Sequence, residues 1–99
     1  MPIDVEWQDE RGVARARYDG PPISGRLLER ADVDSKCLRF IDPYGDTIFN
    51  QGQLPVLIAE LEAAGARGID GDTAAIQELI TFLRHATDHV HTYIKFIGD

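Results

Sequence analysis

The three histidines of this chain fall within seven residues, His85-Ala86-Thr87-Asp88-His89-Val90-His91. His85 and His89 are four apart, so on a helix they stand one turn from each other and two imidazoles can share a divalent ion such as zinc. His91 and Asp88 are the nearest candidates for further ligands. Helix geometry favours a two-ligand surface pair over a closed site, because at about 100° per residue Asp88 lies about 60–100° around the axis from the two histidines. A structural reading competes with metal binding. Histidines near a helix C-terminus interact favourably with the macrodipole when charged, and as groups that titrate near neutrality they also suit a pH-dependent contact.

A second constellation is Asp42-Pro43-Tyr44-Gly45-Asp46. Two carboxylates beside a tight turn have the chemistry of an acid and base pair, or of a cation site. The alternative is that Asp42 stabilises its own turn and Asp46 solvates a strand end. Tyr44 has no such structural duty, and tyrosine is favoured at binding hot spots. Asp42, Tyr44 and Asp46 are therefore candidate partner-binding residues, with Asn50 nearby. Phe82 and Glu78 form a third candidate surface. They share the helix face of His85 and His89, about 180–240° from Ile76 at the middle of the apolar stripe. Phe82 is then covered by residues 23–36, buried in self-association, or simply exposed.

Other motifs fail. Asp70-Gly71-Asp72 lacks the later glycine and the terminal glutamate of a calcium loop, and GIDGD has no phosphate-loop lysine. Cys37 opens an apolar run and reads as a buried structural thiol.

The elements that must position these residues follow from periodicity. Residues 3–8 alternate, with Ile3, Val5 and Trp7 on one face and Asp4, Glu6 and Gln8 on the other, which predicts a half-buried strand. A turn at 9–12 leads to a strand at 13–18, with Ala14, Ala16 and Tyr18 inward and Arg15 and Arg17 facing the acids of the first strand. Asp19-Gly20-Pro21-Pro22 ends the ladder. Residues 23–36 fit a helical turn or two, or an irregular edge strand. CLRFIDPYGDTIFN then reads as a strand at 37–41, a type I turn with Gly45 in the left-handed conformation, and a strand at 46–50. Leu54, Leu57, Ile58 and Leu61 predict a helix over 53–64, with Pro55 in its first turn, Glu60 and Glu62 facing away, and Gly65 as its stop. A second helix starts at Asp72 or Thr73 and runs to about Val90, carrying an apolar stripe of Ile76, Leu79, Ile80, Leu83 and Val90. His91 to Ile97 alternates with apolar residues on both sides, which suits a central strand. The order is β-β-x-β-β-α-α-β, an α+β fold: an antiparallel sheet of four to five strands with two helices packed on one face.

The segments FIDPYGDTIFN and YIKFIGD, at residues 40–50 and 93–99, resemble a group of small bacterial proteins for which no activity is established. The resemblance covers roughly a fifth to a quarter of the chain. It implies a cytoplasmic bacterial origin and carries over no activity, cofactor or site residue.

Ninety-nine residues suit one domain spanning 1–99, and 43% apolar with 27% charged residues is the composition of a globular protein. Residues 1–40 hold seven Lys/Arg against eight Asp/Glu, and residues 41–99 hold three against nine. That acidic second half repels phosphate backbones, which argues against nucleic acid, and suits a basic protein partner. No apolar run reaches the ~20 residues of a membrane helix, and no basic, apolar leader opens the chain. A single cysteine suits a reducing, cytoplasmic setting. The expected function is a non-enzymatic protein-interaction module (an adaptor, inhibitor or immunity-type protein) that recognises a partner or a second copy of itself. The alternative is a small metal-dependent or acid–base enzyme using His85, His89 and His91 or the Asp42/Asp46 turn.

Overall fold

The computed structural model describes residues 3–21, 23, 34–66 and 73–98. Strand β1 (Asp4–Gln8) pairs antiparallel with β2 (Ala14–Arg17). Asp9 builds the turn between them: its Oδ1 accepts hydrogen bonds from the amides of Arg11 and Val13, at 2.8 and 3.0 Å. Gly12 has φ +80° there, a conformation a side chain resists. The register then shifts, so that Trp7 faces Ala16 but Gln8 faces Ala14. This bulge corrects one expectation. Ala16 and Tyr18 pack on the core, whereas Ala14 is exposed.

Strand β3 (Asp46–Asn50) is at one edge of the sheet and β4 (Tyr93–Ile97) is inside it, in the order β2-β1-β4-β3 with every pairing antiparallel. The central place of β4 is the one its two apolar faces predict.

Residues 37–41 are not a strand. Leu38–Phe40 form a 3-10 helix, and the buried residues Cys37, Leu38 and Ile41 follow helical rather than alternating spacing. Two side chains hold it: Ser35 Oγ accepts the Arg39 amide at 3.0 Å, and Glu60 accepts the amides of Lys36, Cys37 and Leu38. Glu60 therefore does not face away as its helical position suggests. The turn at 42–45 forms as expected, but it joins a 3-10 helix to a strand. Gly45 is not among the residues with positive φ, so the left-handed conformation expected for it is absent. Ile23 makes an isolated bridge with Ile3. The remaining expectations for residues 24–33, and the one for Asp72 as a helix start, lie outside the described residues.

Helix α1 (Leu54–Ala66) is entered through a 3-10 helix at Gln51–Gln53. Asn50 and Gln53 cap it reciprocally, each side chain accepting the other's backbone amide. Gly65 lies inside this helix and does not end it. Helix α2 (Thr73–Thr87) stops short of Val90, which is 71% exposed and therefore not part of the buried stripe expected to include it. Thr92 Oγ1 donates to the His89 carbonyl at 2.7 Å, with the Ala86 carbonyl at 3.2 Å, and so ties down the turn that follows the helix.

Leu54, Leu57, Ile58 and Leu61 of α1 and Ile76, Leu79, Ile80 and Leu83 of α2 are all buried, as their spacing predicts. They pack on Val5, Trp7, Phe49, Ile94 and Phe96, which share one face of the sheet. The fold is α+β, with four antiparallel strands and, among the described residues, two α-helices on one side. No helix among those residues is long and apolar enough to cross a membrane.

Candidate functional site

Cross-strand partners point to the same side of a sheet, so the register defines the face turned away from the helices. One row is Asp46, Ile97 and Asp4, and the next is Ile48, Lys95, Glu6 and Arg17. The third is Asn50, Tyr93, Gln8 and Ala14. Four of the five charges in the first two rows are paired, Asp4 being the exception among the described residues. Arg17 meets Glu6 at 2.6 Å and Lys95 meets Asp46 at 3.4 Å. The Arg17–Glu6 pair is the one expected between the second strand's arginines and the first strand's acids. Hydrogen bonds from Gln8 and then Arg17 hold the Glu6 carboxyl below the usual carboxylate range, although burial opposes this. Ile48 stands on this face 55% exposed.

At the third row the face sinks into an open depression of about 340 Å³, lined by Gln8, Asp9, Glu10, Gly12, Ile48 and Tyr93. Asp9 is 8% exposed, and the amides of Val13 and Arg11 hold its carboxyl below the ordinary range. The charge therefore persists at neutral pH. None of Gln8, Glu10, Ile48 and Tyr93 was among the candidates read from the sequence. The outward phase of Tyr93 and Ile48 is visible in the alternation of their strands, but their meeting with Gln8 depends on strand order.

The turn lies at the other end of the face. Asp42 Oδ1 accepts the Tyr44 amide at 2.9 Å, and the Asp42 amide donates to Thr47 Oγ1 at 2.9 Å. Asp46 is held by Lys95. The two acids thus have the structural roles weighed for them. Tyr44 is 77% exposed. The two segments FIDPYGDTIFN and YIKFIGD meet here. Gly98 N–H donates to the Gly45 carbonyl at 2.8 Å, and a Cβ on Gly98 would lie 2.5 Å from the Pro43 carbonyl carbon.

The outward face of α2 leans on the sheet. Phe82 is half-buried and packs edge-on against Tyr18, with ring centroids 5.8 Å apart. Tyr18 in turn donates to the Pro21 carbonyl at 2.8 Å, with the Ala75 carbonyl at 3.3 Å. Burial, then the negative charge of Glu78, pushes the Tyr18 phenol up. Glu78 itself is exposed.

His85 and His89 cover Trp7, their ring centroids 5.9 and 4.7 Å from the indole. Trp7 Nε1 is buried without a hydrogen-bond partner. His89 Nδ1 lies 3.2 Å from the His85 carbonyl, and His91 follows the helix with φ 55°. Among the described residues no group of three or more His, Cys, Asp or Glu side chains is placed to hold a metal ion. The histidines and the turn are also apart: Trp7 pairs with Ile94, whereas the turn closes on Gly98 beyond the other end of β4.

Comparison of the chain with protein-family models, with curated proteins and with solved structures returns no match.

Proposed function

We propose that this chain is a protein-interaction module that takes a basic segment of a partner protein on the sheet face turned away from the helices. The carrying observation is Ile48, a large apolar side chain left 55% exposed halfway along the edge strand β3, at the rim of the acidic depression and on the way to the Tyr44 turn. Four strands about 4.8 Å apart and five residues at about 3.3 Å each give a platform of roughly 14 by 17 Å. That is well below the ~800 Å² per partner of a standard interface, so an extended segment fits better than a folded domain. The basic character of the segment follows from charge. The chain carries −7, so a second copy is repelled where a Lys/Arg-rich segment is attracted. The turn and strand carboxylates support a binding reading over acid–base catalysis, because Asp42, Asp46, Glu6, Asp9 and Glu60 each have a structural partner.

The test is selection of a random peptide display library on the protein, with counter-selection on Ile48→Asp. The reading expects basic peptides that bind the parent and lose at least tenfold on the variant. Selected peptides that bind both proteins equally, or a library that yields no binder, would overturn it. A dimer in sedimentation that Ile48→Asp dissociates would assign the face to a second copy instead.

A further inference from the structure

The depression at the Gln8 end of this face contains the parts of a receptor for one cationic side chain. Gln8 is 7% exposed, and its Nε2 donates to Glu6 Oε1 at 3.0 Å. A carboxylate only accepts, so this bond fixes the amide and turns the Gln8 carbonyl oxygen away from Glu6. That oxygen has no hydrogen-bond partner among the described residues. Among the described residues Trp7 Nε1 is the one fully buried side-chain nitrogen or oxygen without a partner, so the Gln8 oxygen keeps some exposure to solvent. Gln8 lines the depression and Glu6 does not. Beside Gln8 stand the ionised Asp9 and the carboxylate of Glu10, which has no ion-pair partner among the described residues. Tyr93 contributes an aromatic ring, and Ile48 an apolar wall for an alkyl stem.

We propose that this depression binds the guanidinium or ammonium head of an Arg or Lys side chain. Glu10 supplies the charge, Gln8 Oε1 accepts a hydrogen bond, and Tyr93 presents its ring to the cation. Among the lining side chains acceptors outnumber donors, which are the Tyr93 hydroxyl and the second N–H of Gln8 Nε2. An anionic ligand would instead meet the like charges of Asp9 and Glu10. Arg11 lies 3.7 Å from Asp9 and is 79% exposed at its side chain, so an incoming cation meets only a loosely held competitor. The inference rests on the reading of this face as a docking surface, and it names what docks at one end of it.

The probe is N-acetyl-arginine amide, titrated into the isotope-labelled protein and followed by amide and side-chain resonances. Its uncharged citrulline counterpart serves as control. Saturable shifts at the Gln8 side-chain amide, Glu10, Gly12 and Tyr93 are expected with the arginine compound alone. Glu10→Gln should weaken binding about threefold, as for an exposed ion pair. Tyr93→Leu should weaken it about two- to fivefold through the lost ring. Equal shifts with citrulline, shifts scattered over all acidic residues, or no saturation would overturn the proposal. The two readings fail separately. Selected peptides that contact Ile48 and Ile97 while the arginine probe leaves Gln8 and Glu10 unmoved would sink the receptor and leave the docking face. A saturating arginine site with no peptide binder would do the reverse.

Discussion

Glu60 is the tie between α1 and the 3-10 helix before the turn, and its removal is worked out most fully. Its Oε1 accepts from Cys37 and Leu38 at 3.0 and 2.9 Å, and its Oε2 accepts from Lys36. In Glu60→Ala the Lys36 amide is exposed enough to turn to water. The Cys37 and Leu38 residues are 3% and 1% exposed, so their amides become buried donors without acceptors. Each orphaned donor costs about 1–3 kcal/mol, and partial entry of water brings the expected total to about 2–4 kcal/mol. For a chain of this size that lowers the melting temperature by roughly 10–20 °C. Glu60→Gln keeps one acceptor oxygen and should fall between the two. The single cysteine gives a local readout. Burial, then the Glu60 charge, holds the Cys37 thiol pKa up, so labelling by a disulfide reagent is slow in the parent. Glu60→Ala should speed it well before global unfolding. A loss of stability under 0.5 kcal/mol, with unchanged labelling, would refute the reasoning that Glu60 holds these amides.

Three further outcomes are expected. Gly98→Ala forces a Cβ against the Pro43 and Asp42 backbone, at 2.5 and 2.6 Å, and should cost about 1–3 kcal/mol in urea unfolding; an unchanged midpoint contradicts the packing of the turn on Gly98. Hydrogen bonds depress the Glu6, Asp9 and Glu60 carboxyls in the folded state against an opposing burial effect, which is largest in Glu60 relative to its hydrogen bonds. Their contribution is therefore complete above the ordinary carboxylate value of about 4 and is lost as pH falls through the depressed values. Glu6→Gln should make stability fall less steeply below about pH 4, and an identical slope in acid titration would oppose this. The double variant His85→Ala/His89→Ala uncovers the single tryptophan, so emission from Trp7 should shift to the red; an unshifted spectrum contradicts the stacking at 4.7 and 5.9 Å.

The fold was largely legible because β4, α1 and α2 bury side chains at the period of their own element; β1 alternates in sequence, but its polar face at Glu6 and Gln8 is buried too. Residues 37–41 were not legible, since Cys37, Leu38, Phe40 and Ile41 satisfy an apolar run in either geometry. What selects the 3-10 helix is Glu60, about twenty residues later in the chain and visible only in the tertiary structure. Phe82 and the histidines were placed on an outward face, but α2 lies close enough to the sheet for that flank to rest on Tyr18 and Trp7. A helical wheel contains no information about which neighbour a flank meets. The same limit hid the depression. Gln8 and Tyr93 lie more than eighty residues apart, and only the pairing of β1 with β4 brings them together.

The central claim is that partners dock on the sheet face away from the helices, and a footprint of a selected basic peptide by cross-saturation tests it most directly. The account predicts saturation transfer to the amides of Ile48, Tyr93, Lys95 and Ile97, extending to Gln8. Transfer confined to Phe82, His85 and His89, or to the exposed side of α1, would contradict it.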